Sequence, residues 1–109
     1  MAADISKKGT KFMVIKKDAI YINNGVDPNM EKFILITGEG LLNKDIHTVE
    51  GRKISPAPKG VACSISFDKL FFTDAWFLKH YNFLYQLDWN RSTDVQNKEL
   101  YQLLSKNSQ

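Results

Sequence analysis

The chain has 109 residues, 43% of them hydrophobic and 25% charged, with one cysteine and a formal net charge of +3. That composition fits one ordinary globular domain and argues against general disorder, and a lone cysteine excludes an internal disulfide. The charge excess is local: Lys7, Lys8, Lys11, Lys16 and Lys17 are opposed only by Asp4 and Asp18 in the first 20 residues, and the remainder is balanced.

The opening MAADISKKGTKFMVIKK has no apolar run of signal-peptide length. Residues 1–10 read as a flexible basic arm ahead of a domain over 11–105. Phe12, Met13, Val14 and Ile15 suggest a first strand, with Lys16-Lys17-Asp18 as a turn and a second strand over 19–22. Asn23-Asn24-Gly25 is a strong turn signal. Residues 32–37 form the best strand of the chain, and the four consecutive apolar residues Phe33 to Ile36 imply burial on both faces. Gly38-Glu39-Gly40 is expected to end that strand. It lacks the Gly-Lys-Ser/Thr of a phosphate loop and the third glycine of a dinucleotide fingerprint. Residues 41–46 fit a helical turn or a short strand equally well.

Residues 47–54 read as a strand broken near Gly51. Pro56 and Pro58 stiffen the following loop. Over 61–67 the pattern alternates, placing Val61, Cys63, Ile65 and Phe67 on one covered face.

Nine of the thirteen aromatic residues then fall within positions 67–89: Phe67, Phe71, Phe72, Trp76, Phe77, Tyr81, Phe83, Tyr85 and Trp89. Thr73-Asp74 is a helix-start pair, and residues 75–88 contain no Gly or Pro, so the spacing predicts a helix over 74–88. Such a helix is apolar round well over half its circumference, more than one sheet can cover. A second helix is expected over 94–105, with Thr93 and Gln96 as a capping box and Val95, Leu100, Leu103 and Leu104 on its inner side. Residues 106–109 are expected to fray. Strands first and helices last imply an α+β domain: an antiparallel sheet or open barrel of four to six short strands (residues 11–67), then two C-terminal helices packed on one face or end.

No catalytic, metal or nucleotide motif is present, so no cofactor and no metal are expected. No segment supplies the roughly 18 uninterrupted apolar residues of a membrane helix, and a cytoplasmic protein without membrane contact is expected. The leading expectation is a non-enzymatic protein-interaction module. Burying one large aromatic stabilises by about 2–3 kcal/mol, so an excess of them on a helix points to a covering partner. The interface candidates are Phe72, Trp76, Tyr81, Tyr85 and Trp89, serving self-association as a homo-oligomer or the binding of another protein. Lys, Asn, Ile, Phe and Tyr number 41 against 17 for Gly, Ala, Arg and Pro. This suits an AT-rich genome and an accessory, inhibitor or assembly factor of phage or bacterial type.

Two alternatives compete. Single-stranded nucleic acid could be bound by Lys7, Lys8, Lys11, Lys16 and Lys17 with exposed aromatics as a stacking platform. The scarcity of arginine (Arg52 and Arg91 alone) disfavours it. A small thiol enzyme could use Cys63 with His47 or His80, but its position on an apolar strand face favours a core role.

Overall fold

The computed structural model describes residues 15–43, 46–56 and 63–108. It is an α+β domain: an antiparallel sheet of six strands with two helices. The strands are β1 (Ala19–Asn23), β2 (Phe33–Asn43), β3 (Ile46–Ser55), β4 (Ser64–Ile65), β5 (Leu70–Thr73) and β6 (Tyr81–Gln86). Helix α1 (Asp74–His80) lies between β5 and β6, and helix α2 (Thr93–Lys106) follows. The order is β4-β3-β2-β1-β6, with β5 also paired to β3.

Phe33, Ile34, Leu35 and Ile36 are all buried, as their unbroken apolar run predicts. They alternate between two separate cores. Ile34 and Ile36 pack with Ala19, Tyr21, Val49, Phe77 and Tyr81 on the face that carries α1. Phe33 and Leu35 pack with Ile20, Ile54, Leu100 and Leu104 on the face that carries α2. The helices therefore cover opposite faces of the sheet, not a common face or end.

β2 does not stop at Gly38. It runs on to Asn43, with register shifts between Ile36 and Gly38 and between Leu41 and Asn43. The glycines are thus part of a bulged strand, which supplies twist and not a terminating turn. β3 likewise continues through Gly51. A Cβ there would stand 2.6 Å from Ile34 Cγ2 and 3.4 Å from Phe72 Cε2. Glycine at this point lets β2 and the Phe72 ring approach β3.

The largest departure is the first helix. It ends at His80, after seven residues, and 81–86 is a strand. Asn24 closes the helix: its N–H donates to the His80 carbonyl at 2.9 Å and its Nδ2 to the Lys79 carbonyl at 2.9 Å. The loop containing Asn-Gly is therefore a helix cap as well as a turn, with Gly25 at φ 92°, where glycine meets no side-chain penalty. Seven helical residues span about 10 Å, whereas four inter-strand steps across a flat sheet cover about 19 Å. Since α1 joins β5 to β6 at the opposite margin, the sheet must coil around it.

Two smaller expectations also change. Only Ser64–Ile65 of the 61–67 segment is strand among the described residues, and Ile65 and Phe67 are exposed. The Thr93–Gln96 box is absent: Ser92 is the N-cap, and Gln96 is buried with Oε1 accepting the Asp88 N–H at 2.7 Å. Val95 is exposed, so the covered stripe of α2 is Gln96, Leu100 and Leu104. Near the C-terminus Asn107 Nδ2 and Ser108 Oγ donate to the Leu103 and Leu104 carbonyls at 2.8 and 2.6 Å.

Candidate protein-interaction surface

The aromatic block divides between β5, α1, β6 and the turn after β6. Its centre is absorbed by the core. Phe77 meets Tyr21 edge-on at a centroid distance of 5.0 Å and stacks on Tyr81 at 4.8 Å. Phe72 stacks on Trp76 at 5.4 Å, and Trp76 stacks on His80 at 4.1 Å. Offset and edge-to-face arrangements of this kind stabilise beyond area burial alone.

Tyr81 is 2% exposed, and its hydroxyl donates to the Glu31 carbonyl at 2.7 Å. Burial, with Glu31 and Asp27 nearby, pushes its pKa up to about 12. Among the interface candidates, Tyr81 is thus a core residue that offers no surface to a partner. Phe72, Trp76 and Tyr85 are half-buried. The Tyr85 hydroxyl donates to Glu99 Oε1 at 3.2 Å, and Arg91 grips the same carboxylate with two bonds of 2.8 and 2.9 Å. The Arg91 guanidinium holds the Glu99 carboxyl below its ordinary range.

The aromatics that do reach the surface are Phe67 at 94% exposure, Trp89 at 72%, Phe71 at 65% and Phe83 at 54%. Only Trp89 is among the candidates expected from sequence. Phe71 alternates with the covered Leu70 and Phe72, and a period-two reading of KLFFT would have found it; Phe83 shares its strand period with buried Tyr81, so the same reading of YNFLYQ would have placed it inside. Trp89 is held in place: its Nε1–H donates to Asp18 Oδ2 at 3.1 Å, while most of the ring stays in solvent. Asp18 itself sits at φ 64°, receives the Leu87 N–H at 2.9 Å and donates its own N–H to Ile36 at 2.8 Å. A fixed indole with an uncovered face resembles a preformed contact more than a frayed end.

The lysine candidates divide too. Lys16 and Lys17 are exposed, whereas Lys7, Lys8 and Lys11 lie outside the described residues. The expected strand over 12–15 falls outside them as well, apart from Ile15, which is buried in the α1-side core.

Cys63 is half-buried against the α2-side core, and burial raises its pKa, keeping it a thiol. Both histidines belong to the other side: His47 Nδ1 contacts Asp74 Oδ2 at the start of α1, and His80 Nδ1 contacts the Trp76 carbonyl at 2.8 Å. The fold brings no imidazole to the thiol. Among the described residues, no three His, Cys, Asp or Glu side chains converge as metal ligands, and no helix is long and apolar enough to cross a membrane. The outer side of α2 carries a shallow hollow of about 230 Å³ lined by Asp94, Val95, Lys98, Glu99 and Gln102. No family model, curated protein or solved structure matches the chain.

Proposed function

We propose that this chain is a non-enzymatic protein-interaction module, an accessory or assembly factor that docks through the outward part of its aromatic segment. The observation that carries this reading is the exposure of Phe71, Phe83 and Trp89 on a small domain whose two cores are already filled. Aromatic side chains are enriched at protein interfaces, where a ring buries much area at small entropic cost. The anchoring of Trp89 by Asp18 supports the same reading, because an ordered ring has less freedom to lose on binding. The placement of Cys63 against the α2-side core, with both histidines on the α1 side, favours this reading over the thiol alternative.

A photo-cross-linking residue at position 71, 83 or 89, compared with one at the exposed position Gln102, tests the proposal in the native cells. Protein adducts, to itself or to another chain, are expected at the three aromatic positions above the Gln102 level. Equal labelling at all four positions would overturn it.

A further inference from the structure

We infer that Asn24 is a site of spontaneous deamidation that the end of helix α1 holds in check, and that its conversion uncaps α1; the inference is independent of the interaction reading above. Asn24-Gly25 is the single Asn-Gly pair of the sequence. In such a pair the glycine nitrogen loses its proton to solvent base and attacks the asparagine Cγ. The Cγ–Nδ2 bond breaks, and the amide nitrogen takes up a proton and leaves as ammonia. Water then opens the succinimide at either carbonyl, giving aspartate or isoaspartate, so water is the only co-reactant. Asn24 and Gly25 are both exposed, and even a Cβ on Gly25 would meet nothing within 4 Å. Base and water therefore reach the reacting atoms, and no side chain hinders the attack.

The fold engages the groups that take part in this step. Asn24 Nδ2, the leaving nitrogen, donates to the Lys79 carbonyl at 2.9 Å, and the Asn24 N–H donates to the His80 carbonyl at 2.9 Å. Asn24 Oδ1 accepts the Val26 N–H at 3.0 Å, and the Gly25 N–H, whose proton must be lost, donates to Asn23 Oδ1 at 2.7 Å. Ring closure needs Asn24 to rotate about both its main chain and its side chain, and the two bonds to α1 hold both. Deamidation therefore waits on local opening at the end of α1. The product does not restore the cap. Aspartate has no Nδ2 donor for the Lys79 carbonyl, and its carboxylate faces the negative end of the α1 dipole. Isoaspartate in addition places an extra methylene in the main chain between residues 24 and 25. The conversion is one-way, and it loosens the short helix that covers one core at the point where β6 begins.

Peptide mapping by mass spectrometry tests the restraint, with the full chain held in mildly alkaline buffer or unfolded in guanidinium chloride at the same pH. Conversion at position 24 is expected to be at least about tenfold slower in the folded chain, because opening breaks two hydrogen bonds to α1. Equal rates, or faster conversion in the folded chain, overturn the inference. The consequence is read on Asn24→Asp, which carries the side chain of the product. The Tyr81 N–H donates to the Phe77 carbonyl in the last turn of α1. Its hydrogen exchange should be about fivefold faster in Asn24→Asp than in the wild type, with the circular dichroism of a folded chain. Unchanged protection at Tyr81 would show that the Asn24 amide does not hold α1, and also overturns the inference. If Asn24→Asp fails to fold, the deamidated fraction of the wild type, separated by ion exchange, supplies the same measurement.

Discussion

The two faces of the sheet are covered by unequal helices, and the difference explains the aromatic block. On one face α2, with 14 residues and about 21 Å long, lays Leu100 and Leu104 on the mostly aliphatic surface of Ile20, Leu35 and Ile54. On the other face α1 has seven residues and covers Tyr21, Ile34, Ile36 and Val49 with Phe77, helped by Trp76, Phe72 and Tyr81. Ring volume stands in for helix length. Where the short helix ends the cover ends too, and Phe83, which packs edge-on against Tyr21 at 5.8 Å, is left half in solvent.

The most direct way to break this comparison is to truncate one residue on each face. Phe77→Ala should cost about 3–5 kcal/mol, at the upper end for a core truncation, because a seven-residue helix has no neighbouring turn to close over the cavity. Leu104→Ala should cost about 2–5 kcal/mol and less than Phe77→Ala, since the rest of α2 can settle on the sheet. Urea titration of both variants decides it: a larger loss for Leu104→Ala would mean that helix length, and not ring volume, governs cover.

Gly51→Ala comes next. Its methyl group would be driven into Ile34 and against Phe72, and overpacking of that kind costs about 1–3 kcal/mol. Ile34→Ala removes the obstructing Cγ2, so Gly51→Ala should cost less in that background than in the wild type. If the two substitutions simply add in urea melts, the close approach is not what requires glycine.

On the α2 face, Gln96→Ala removes the acceptor of the Asp88 N–H from a buried position and should cost about 1–2 kcal/mol. Hydrogen exchange should accelerate specifically at Asp88. Unchanged protection there would show that the turn between β6 and α2 does not depend on Gln96.

The smallest effect at neutral pH is expected from Tyr81→Phe, which loses one hydrogen bond, about 1 kcal/mol. Its consequence is larger in alkali. The folded-state pKa of Tyr81 lies above the ordinary value of 10, at about 12. The folded state therefore holds this proton more tightly, and the associated stability is full below pH 10 and lost as pH rises through 12. Melting temperature in the wild type should fall over that window, and Tyr81→Phe should flatten the fall. An identical alkaline limb in both proteins would assign it to other groups.

Much of the central sheet is legible in the sequence. The run Phe33 to Ile36 implies burial on both faces, and the alternation of those residues between two cores follows from a strand period of two. The second helix is legible from its spacing, but not its cap, because Gln96 points inward to the Asp88 N–H and not back to Thr93. Alternation misjudges Phe67 because it shows which residues share a side, and not whether anything covers that side. A single helical period extended across a boundary at His80 misassigns the exposed aromatics.

That boundary separates what the sequence determined from what tertiary structure decided. Composition and local patterning were enough for an α+β domain with a heavy aromatic segment and no motif for metal or nucleotide chemistry. They could not show that residues 81–86 leave the helix, because Tyr81, Asn82, Phe83, Leu84, Tyr85 and Gln86 satisfy both periods over so short a span. The choice came from long-range pairing. β1 has an edge that requires a strand, and Asn24, 55 residues before Lys79 in the chain, closes the helix just before that strand begins. A helix apolar on too many sides thus becomes a short helix and an edge strand, and Phe83, paired beside Tyr21, stays in solvent because the cover of α1 ends before it.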